Sequence, residues 1–437
     1  MTSDPANFDP ALRALLRDID PDRIRATIQR LTEFGTRHTL SSQTDPVRGI
    51  GAATTWVTQQ MEAFAAASGG NMTVRQQSFV QPTTPPRIPT PTPITNVIAT
   101  LQGTASPERF YVVTGHLDSR VTDVLDFTSD APGADDDGSG VACVLELARV
   151  FATHQFPGTI IFATVAGEEQ GLFGSSFMAQ QMKAAGNDVQ GMFSNDIVGA
   201  SESFDGHKPD PFTVRMFVEG VPTNVTSSQI GLLQSTGGEN DGQARQLGRF
   251  VMAAAPHSLT GMNIRLIWRR DRFLRASDHV SFQGQGYPAA RFSEPRENFN
   301  HEHQNTQVVD GVQLGDLIDF VDPDYMARVA RVNAAALWAL ATSPSTPKDV
   351  QIHTNPPGTF SGTNLSRLTW QANPEANLTE YEVVLRETTE SDWTRAISVG
   401  NGTEVTLDIS KDNVQMGLRA VDANGSRSPV AFPRPVG

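Results

Sequence analysis

Three neighbouring segments decide the fold: RFYVVT at residues 109–114, SGVACVLELARVF at 139–151 and TIIFATV at 159–165. The first and third are short apolar runs rich in β-branched residues, which is typical of strands buried on both faces of a parallel sheet. The second has the apolar periodicity of a helix. The order predicts an α/β fold, with a mostly parallel mixed sheet flanked by helices and ligands at the carboxyl ends of the strands.

Composition and charge exclude several functional classes. The 437-residue chain carries a formal net charge of −14 and shows no cluster of Lys and Arg, so we expect no nucleic-acid partner. No stretch reaches the roughly 18 uninterrupted apolar residues of a membrane helix, so we expect no membrane span. Cys143 is the single cysteine, which excludes an internal disulfide and a multi-cysteine zinc site.

The chain is predicted to contain two domains, residues 1–343 and 344–437. A linker-like SPSTPKD segment is followed by short alternating runs such as EYEVVLRE and TEVTLDI, which predict a small antiparallel β-sandwich. This module resembles a fibronectin type III domain, with Trp370 on its second strand and Tyr381 on its third. We expect Trp370 in the core, and the module is expected to dock either onto a surface or onto the catalytic domain.

Two segments near the start of the first domain have clear local signals. Asp20 and Pro21 precede Ile24, Ile28 and Leu31, which predicts a capped amphipathic helix. The proline-rich segment 81–95 predicts a long exposed connection, not a central strand, that overhangs a site.

Polar residues follow the predicted buried strands, and they are the candidate functional residues of the chain. They are His116 and Asp118, the run GADDDGSG at 133–140, the pair Glu168 and Glu169, Asp196 in MFSND, and His301 in ENFNHEHQNT. Burying so many carboxylates together requires counter-charge, which two divalent cations supply. Without thiols, imidazole and carboxylate are the ligands that zinc accepts, so a paired-zinc site is predicted.

These motifs resemble metallopeptidase family twenty-eight, which includes bacterial leucyl aminopeptidases, glutamate carboxypeptidase and glutaminyl cyclase. The segments HLDS, PGADDDGSG, GEEQGLFGS, ND, SDHVSF and ENFNH occur in the family's order between about Ile24 and Leu340. The resemblance implies a zinc exopeptidase with two Zn²⁺ per chain. It favours an aminopeptidase that hydrolyses peptides or proteins with a free N-terminus.

The resemblance also implies the ligand set. His116 and Asp196 would hold one zinc ion, Glu169 and His301 the other, and Asp136 would bridge the two. His301 is preferred over the neighbouring His303 because the following Asn-Thr is similar to the family's pattern after its last ligand, and both alternatives stay open.

Two further residues take roles from the same resemblance. Asp118 corresponds to the carboxylate that orients the ligand histidine. Glu168 corresponds to the general base that takes a proton from the water activated by the two zinc ions. A cis peptide bond is expected after Asp136.

Four other functions compete with this interpretation. A carboxypeptidase would need a cation for the terminal carboxylate, with candidates Arg269, Arg270, Arg272, Arg275, Arg291 and Arg296. A glutaminyl cyclase shares the scaffold, but that branch resembles Asp-Asp-His where this chain has Ser277, Asp278 and His279. Asp135 to Glu146 nearly fits an EF-hand calcium loop, although no entering helix precedes it. A metal-free binding or adhesion protein would have lost ligands that this chain keeps.

The location of the protein is indicated only indirectly. The opening MTSDPANFDPALR lacks the basic start and apolar core of a secretory signal. The chain therefore either stays inside the cell or lost a leader; we favour the second, a secreted extracellular or periplasmic enzyme.

Overall fold

The apolar segments between residues 109 and 165 form the middle of an eight-stranded sheet. The structure is a computed structural model, and it describes residues 8–202, 207–354 and 364–437. The predicted strands lie within β3 and β4, and the predicted helix between them lies within α4, so this part of the fold prediction is confirmed.

The helices have the following bounds: α1 Pro10–Arg17, α2 Pro21–Thr32, α3 Ile50–Ala67, α4 Gly138–Phe151, α5 Phe173–Ala184, α6 Ser227–Thr236, α7 Gln243–Ala254, α8 His257–Thr260, α9 His279–Gly284 and α10 Pro323–Thr342. The strands are β1 Met72–Gln81, β2 Thr92–Leu101, β3 Ser106–His116, β4 Gly158–Val165, β5 Asp188–Asn195, β6 Thr213–Phe217, β7 Asn263–Ile267, β8 Ala289–Ser293, β9 Gln307–Val309, β10 Val312–Leu314, β11 Lys348–His353, β12 Leu365–Gln371, β13 Leu378–Glu387, β14 Arg395–Ser398, β15 Glu404–Asp408, β16 Val414–Asp422 and β17 Arg434–Val436.

The sequence signals of α2 agree with its structure. The Asp20 carboxylate accepts a hydrogen bond from Asp22 N at 2.9 Å, and a proline occupies the first turn. Ile24, Ile28 and Leu31 are buried, so one face of the helix packs into the core.

The strand order of the large sheet is β1-β2-β4-β3-β5-β8-β6-β7. Strand β3 pairs in parallel with β4 on one side and with β5 on the other. The chain therefore crosses over β3 between β4 and β5, which makes β3 a topological switch point. Ligand sites of open α/β sheets lie outside the carboxyl ends of the strands at such a point.

Both faces of the sheet are covered. Val113 and Phe162 belong to the core cluster that includes α2, α4 and α10, whereas Val112 and Ile161 belong to the cluster that includes α5 and α9. Neighbouring residues on one strand point to opposite faces, so both faces are apolar and the strands read as continuous hydrophobic runs.

The proline-rich segment differs from its prediction in part. Residues 82–91 form a connection between β1 and β2, as expected, but residues 92–95 belong to β2, an interior strand. The register explains why the sheet tolerates Pro93 there. Pro93 pairs with Val80 of β1 on one side. On the other side, pairing of β2 with β4 begins only at Val97, so the backbone of Pro93 has no strand neighbour there that needs a hydrogen-bond donor.

The last seven strands form two smaller sheets, ordered β15-β12-β11-β17 and β14-β13-β16. Trp370 and Leu368 of the first sheet share a buried cluster with Tyr381 and Leu418 of the second, so the sheets pack face to face as a sandwich. Trp370 lies in this core, as predicted. The closer resemblance to a fibronectin type III domain stays a prediction.

The sandwich contacts the first domain near the amino-terminal ends of strands β3 and β5. Arg109 of β3 pairs with Glu375 at 3.1 Å, and Asp188 of β5 pairs with Lys348 at 2.8 Å. The sandwich therefore lies at the end of the sheet away from the carboxyl ends of β3 and β5. Among the described residues, no helix combines the length and apolar character that crossing a membrane requires.

Candidate metal centre

Five ligand-type side chains converge at the carboxyl ends of the central strands. His116 ends β3, Asp136 precedes α4, Glu169 follows β4, Asp196 follows β5, and His303 lies in the segment between β8 and β9. They form two groups, His116–Asp136–Asp196 and Asp136–Glu169–His303, in each of which the ligand atoms lie within 4.8 Å of one another.

Asp136 belongs to both groups and offers one oxygen to each. Its Oδ1 lies 3.0 Å from Nε2 of His116, and its Oδ2 lies 2.7 Å from Nε2 of His303. The first group is completed by Asp196 Oδ1, 3.9 Å from His116 Nε2, and the second by Glu169 Oε1, 2.9 Å from His303 Nε2. Asp136 thus presents one carboxylate oxygen to each of the two groups.

The structure corrects the choice of the last histidine. The ring of His301 stacks on Phe320 with centroids 3.5 Å apart, and its Nδ1 lies 3.1 Å from Asn298 Nδ2. His301 therefore lies outside both groups, and His303 takes the position predicted for it. His303 has a left-handed backbone, φ 51°, within an irregular segment, so the Asn-Thr pattern after His301 did not determine which of the two side chains turns inward.

Asp118 contacts His116 through its main chain and its carboxylate, and it also contacts the glutamate pair. The Nδ1 of His116 lies 2.9 Å from the main-chain oxygen of Asp118 and 3.7 Å from its carboxylate. The carboxylate also accepts hydrogen bonds from the main-chain N–H groups of Glu168 and Glu169, both at 3.1 Å, and from the Thr39 hydroxyl at 2.8 Å. One residue thus orients the histidine through its backbone and fixes the glutamate pair through its side chain.

The loop that carries Asp136 is held from several directions. Asp316 accepts hydrogen bonds from Asp135 N and Asp136 N, both at 2.8 Å. Asp137 caps α4 through Gly140 N at 2.9 Å and also accepts from the main-chain N–H of His116 at 2.7 Å. The predicted cis peptide bond between Asp136 and Asp137 is present.

Two buried arginines stabilise the backbone around the site, and neither was identified from sequence as a support. Arg37 is fully buried and donates to the carbonyl oxygens of Leu117 at 2.8 Å and Gly133 at 2.8 Å, which joins the loops after β3 and before α4. Arg291 donates to Asp196 through its main-chain oxygen at 2.9 Å and its carboxylate at 3.1 Å.

The electrostatics favour positive charge between the two groups. Burial lowers the pKa of His303, but the carboxylates of Glu169 and Asp136 outweigh this effect and raise that pKa to about 10. Burial raises the pKa of Glu168 well above its usual range, and the nearby carboxylates of Asp196 and Glu169 add to the rise against the opposing effect of His116. A raised pKa makes a carboxylate a better proton acceptor than an ordinary glutamate.

The donor set fits a pair of divalent cations. Oε1 of Glu169 and Nε2 of His303 are buried and, within the described part of the chain, make no hydrogen bond. Imidazole and carboxylate together are a zinc donor set, and a bound cation would satisfy both atoms. The site draws on no thiolate, since Cys143 is buried in α4.

A cleft of about 250 Å³ opens onto these groups, and arginines line much of it. Of the six arginines predicted as candidates for a substrate carboxylate, Arg272 and Arg275 line this cleft. Arg87 and Arg120 also line it and were missed. Arg120 pairs with Glu169 at 2.8 Å, and Arg87 comes from the connection between β1 and β2, as the prediction of an overhanging segment anticipated.

Comparison with known proteins agrees with this geometry. A family model described as peptidase family M28 matches residues 96–336. A protein named "Probable zinc metalloprotease" from Pyrenophora teres f. teres is 48% identical over 433 residues, which cover 99% of this chain and 88% of the relative. A similarly named protein from Leptosphaeria maculans is 47% identical over 424 residues, 97% of each chain.

Solved structures share the fold at lower identity. The LapA aminopeptidase of Legionella pneumophila aligns with a TM-score of 0.53 at 20% identity, covering 76% of this chain and 75% of that one. A glutaminyl cyclase of Fimbriiglobus ruber aligns with a TM-score of 0.50 at 19% identity, covering 73% and 95%. The family match spans β2 to α10 and includes all five converging side chains, so the chain belongs to peptidase family M28 and is a metallopeptidase.

Proposed function

We propose that this peptidase is a co-catalytic di-zinc aminopeptidase with Glu168 as its general base. The observation that carries the proposal is the position of Asp136, whose two carboxylate oxygens face His116 and His303 at 3.0 and 2.7 Å. His116, Asp136 and Asp196 would hold one zinc ion, and Asp136, Glu169 and His303 the other. The relatives named as zinc metalloproteases support the choice of metal.

Zinc at these positions would act as a Lewis acid that lowers the pKa of water and polarises the scissile carbonyl. The protein's own contribution is to fix the ligands and the base. The main-chain N–H of Glu168 donates to Asp118, and its Oε2 lies 3.9 Å from His116 Nε2, so the carboxylate is held beside the first group. There it would take a proton from the attacking water and pass it to the leaving amine.

The cleft supports an exopeptidase. Its volume of about 250 Å³ is small beside the roughly 300–1,000 Å³ of typical ligand pockets, so it suits the end of a chain better than an extended segment. Carboxylates of Asp136, Glu168 and Asp196 line it and could receive a free N-terminal amine. Peptides or proteins with a free N-terminus are therefore the proposed substrates.

A carboxypeptidase is the second candidate because of the arginines in the same cleft. Arg272 and Arg275 both lie 3.1 Å from Glu297, and their wall of the cleft presents positive charge. Such a wall would suit a terminal carboxylate.

A panel of short peptides with free or blocked termini separates these functions. An aminopeptidase cleaves only peptides with a free amine, whereas a carboxypeptidase requires a free carboxylate, and a cyclase converts N-terminal glutamine. Zinc content measured on the purified protein is expected near two per chain.

The Glu168→Gln variant tests the base. We expect kcat to fall by about 10²–10⁴-fold, because a positioned proton acceptor is lost, while zinc content stays unchanged. Glu62→Gln on the exposed surface of α3 is the matched control and should keep full activity. A Glu168→Gln enzyme that keeps its activity would remove Glu168 from this role.

A further inference from the structure

The connection between β1 and β2 presents one side chain to the metal centre. Main-chain hydrogen bonds from Thr84 N to Ile88 O at 2.7 Å and from Ile88 N to Thr84 O at 2.9 Å close a tight turn within it. Ile88 is fully buried and anchors the end of that turn. Arg87 is therefore carried by a turn with a fixed position.

Arg87 reaches the cleft of the metal centre. Its Nη1 donates a hydrogen bond to the main-chain oxygen of Glu169, a residue of the second metal-ligand group. The side chain is half-buried and lines the cleft together with Glu168 and His303. The guanidinium thus lies in the cleft that opens onto both metal-ligand groups.

The other three arginines of the cleft each have a carboxylate partner. Arg120 pairs with Glu169, and Arg272 and Arg275 pair with Glu297. Within residues 8–202, 207–354 and 364–437, no carboxylate forms an ion pair with Arg87. Arg87 therefore lines the cleft without an ion-pair partner among the described residues.

A guanidinium that lines a cleft without a counter-ion can bind an anionic group of a substrate. Its planar donors match a carboxylate, which accepts two parallel hydrogen bonds. We propose that Arg87 binds a substrate carboxylate next to the scissile bond, and this inference rests on the proposed exopeptidase function. The carboxylate belongs either to an acidic side chain or to the free C-terminus of a very short peptide.

Two matched substrate pairs separate these sources. The first compares the anilides of L-glutamate and L-glutamine, which have nearly the same shape and differ in side-chain charge. The second compares Gln-Gly with Gln-Gly amide, which differ in the terminal carboxylate. We expect the charged member of at least one pair to have a kcat/KM about tenfold or more higher, as a charge-assisted hydrogen bond provides.

Arg87→Gln should bring that ratio close to one, and Arg87→Lys should restore part of it. Arg75→Gln, in the exposed part of β1, is the matched control and should keep the wild-type ratio. The inference is overturned if wild type prefers neither carboxylate, or if the preference survives in Arg87→Gln. Hydrolysis of the neutral substrates with two bound zinc ions tests the underlying function separately.

A binding measurement gives a readout besides activity. Calorimetry of the zinc-loaded protein with L-glutamate and L-glutamine should show tighter binding of L-glutamate if the side-chain carboxylate is the one recognised. This difference should disappear in Arg87→Gln. If no peptide is hydrolysed but this difference is present, the proposed function fails while the anion site stands.

Discussion

Two clusters of buried carboxylates differ in the cationic side chains that pair with them. Where the sandwich meets the first domain, Asp241 receives Arg249 at 3.1 Å and Arg386 at 2.5 Å, and Glu375 receives Arg109 at 3.1 Å. At the metal centre, the described residues provide Asp136 and Glu168 with histidines alone as ion-pair partners.

The difference separates a structural cluster from a functional one. A guanidinium is always charged, so each acid at the domain contact is neutralised permanently by the chain itself. An imidazole can lose its proton and become a metal ligand. The positive charge that Asp136 and Glu168 face can therefore come either from a protonated histidine or from a bound cation. Asp136 and Glu168, which face only histidines, therefore mark the functional cluster, although Glu169 and Asp196 in the same centre also pair with Arg120 and Arg291. The structural cluster of Asp241, Glu375 and their arginines is called the domain joint below.

The largest expected effect comes from removing a histidine of the metal centre. His303→Ala should lower zinc content to about one ion per chain and kcat/KM by at least about 1,000-fold, because loss of a direct ligand exceeds the 10–100-fold cost of losing an outer partner. Metal analysis and steady-state kinetics measure both quantities.

His301→Ala is the matched control for that prediction. It removes the stacking on Phe320 and should cost about 1 kcal/mol of stability, with zinc content and kcat/KM within a few-fold of wild type. The opposite result, with zinc lost in His301→Ala and kept in His303→Ala, would restore the assignment made from sequence.

The parts of the fold that sequence predicted are those that local pattern determines. Strand β4 and helix α4 have apolar periodicities that span their whole length, and their core contacts follow from those periodicities. The carboxyl ends of parallel strands meet at one edge of a sheet, so the order of the chain already brings His116 and Asp196 together.

The parts that sequence did not predict depend on contacts between distant residues. His301 is held by Phe320, which comes from outside the segment ENFNHEHQNT, and the local signal, the Asn-Thr that follows His301, favoured the histidine that lies outside both groups. Arg87 lies in a segment without periodicity, and its position depends on Glu169, 82 residues away. The joint between the domains depends on Asp241 and Arg386, which are 145 residues apart.

A second prediction tests the structural cluster. Asp241→Asn leaves the buried guanidinium groups of Arg249 and Arg386 without their shared anion, so we expect a loss of about 3 kcal/mol in the free energy of unfolding. Chemical denaturation measures it. Because the sandwich lies away from the carboxyl ends of the strands, kcat/KM well below the unfolding temperature should stay near wild type.

An exposed ion pair provides the control for this variant. Arg30 lies in the last turn of α2, and Glu33 directly follows the helix. The two side chains are 39% and 50% exposed, so Glu33→Gln should change stability by less than about 1 kcal/mol. An equal loss in both variants would mean that burial does not distinguish the joint from ordinary surface ion pairs.

The smallest expected effect is a pH dependence at the same joint. Burial raises the pKa of Glu375, but hydrogen bonds from Ser345 and the charge of Arg109 outweigh it, so the net pKa is lowered. A carboxyl with a lowered folded-state pKa contributes stability above its unfolded pKa, about 4.3, and loses it as the pH falls through the folded value.

Glu375→Gln should therefore be less stable than wild type by about 1 kcal/mol near neutral pH, a modest value because water partly screens the group. The difference should shrink to zero as the pH falls below about 4, whereas Glu390→Gln, an exposed change in the same domain, should show none. A difference that stays constant down to acid pH would mean that the Glu375 charge does not stabilise the joint.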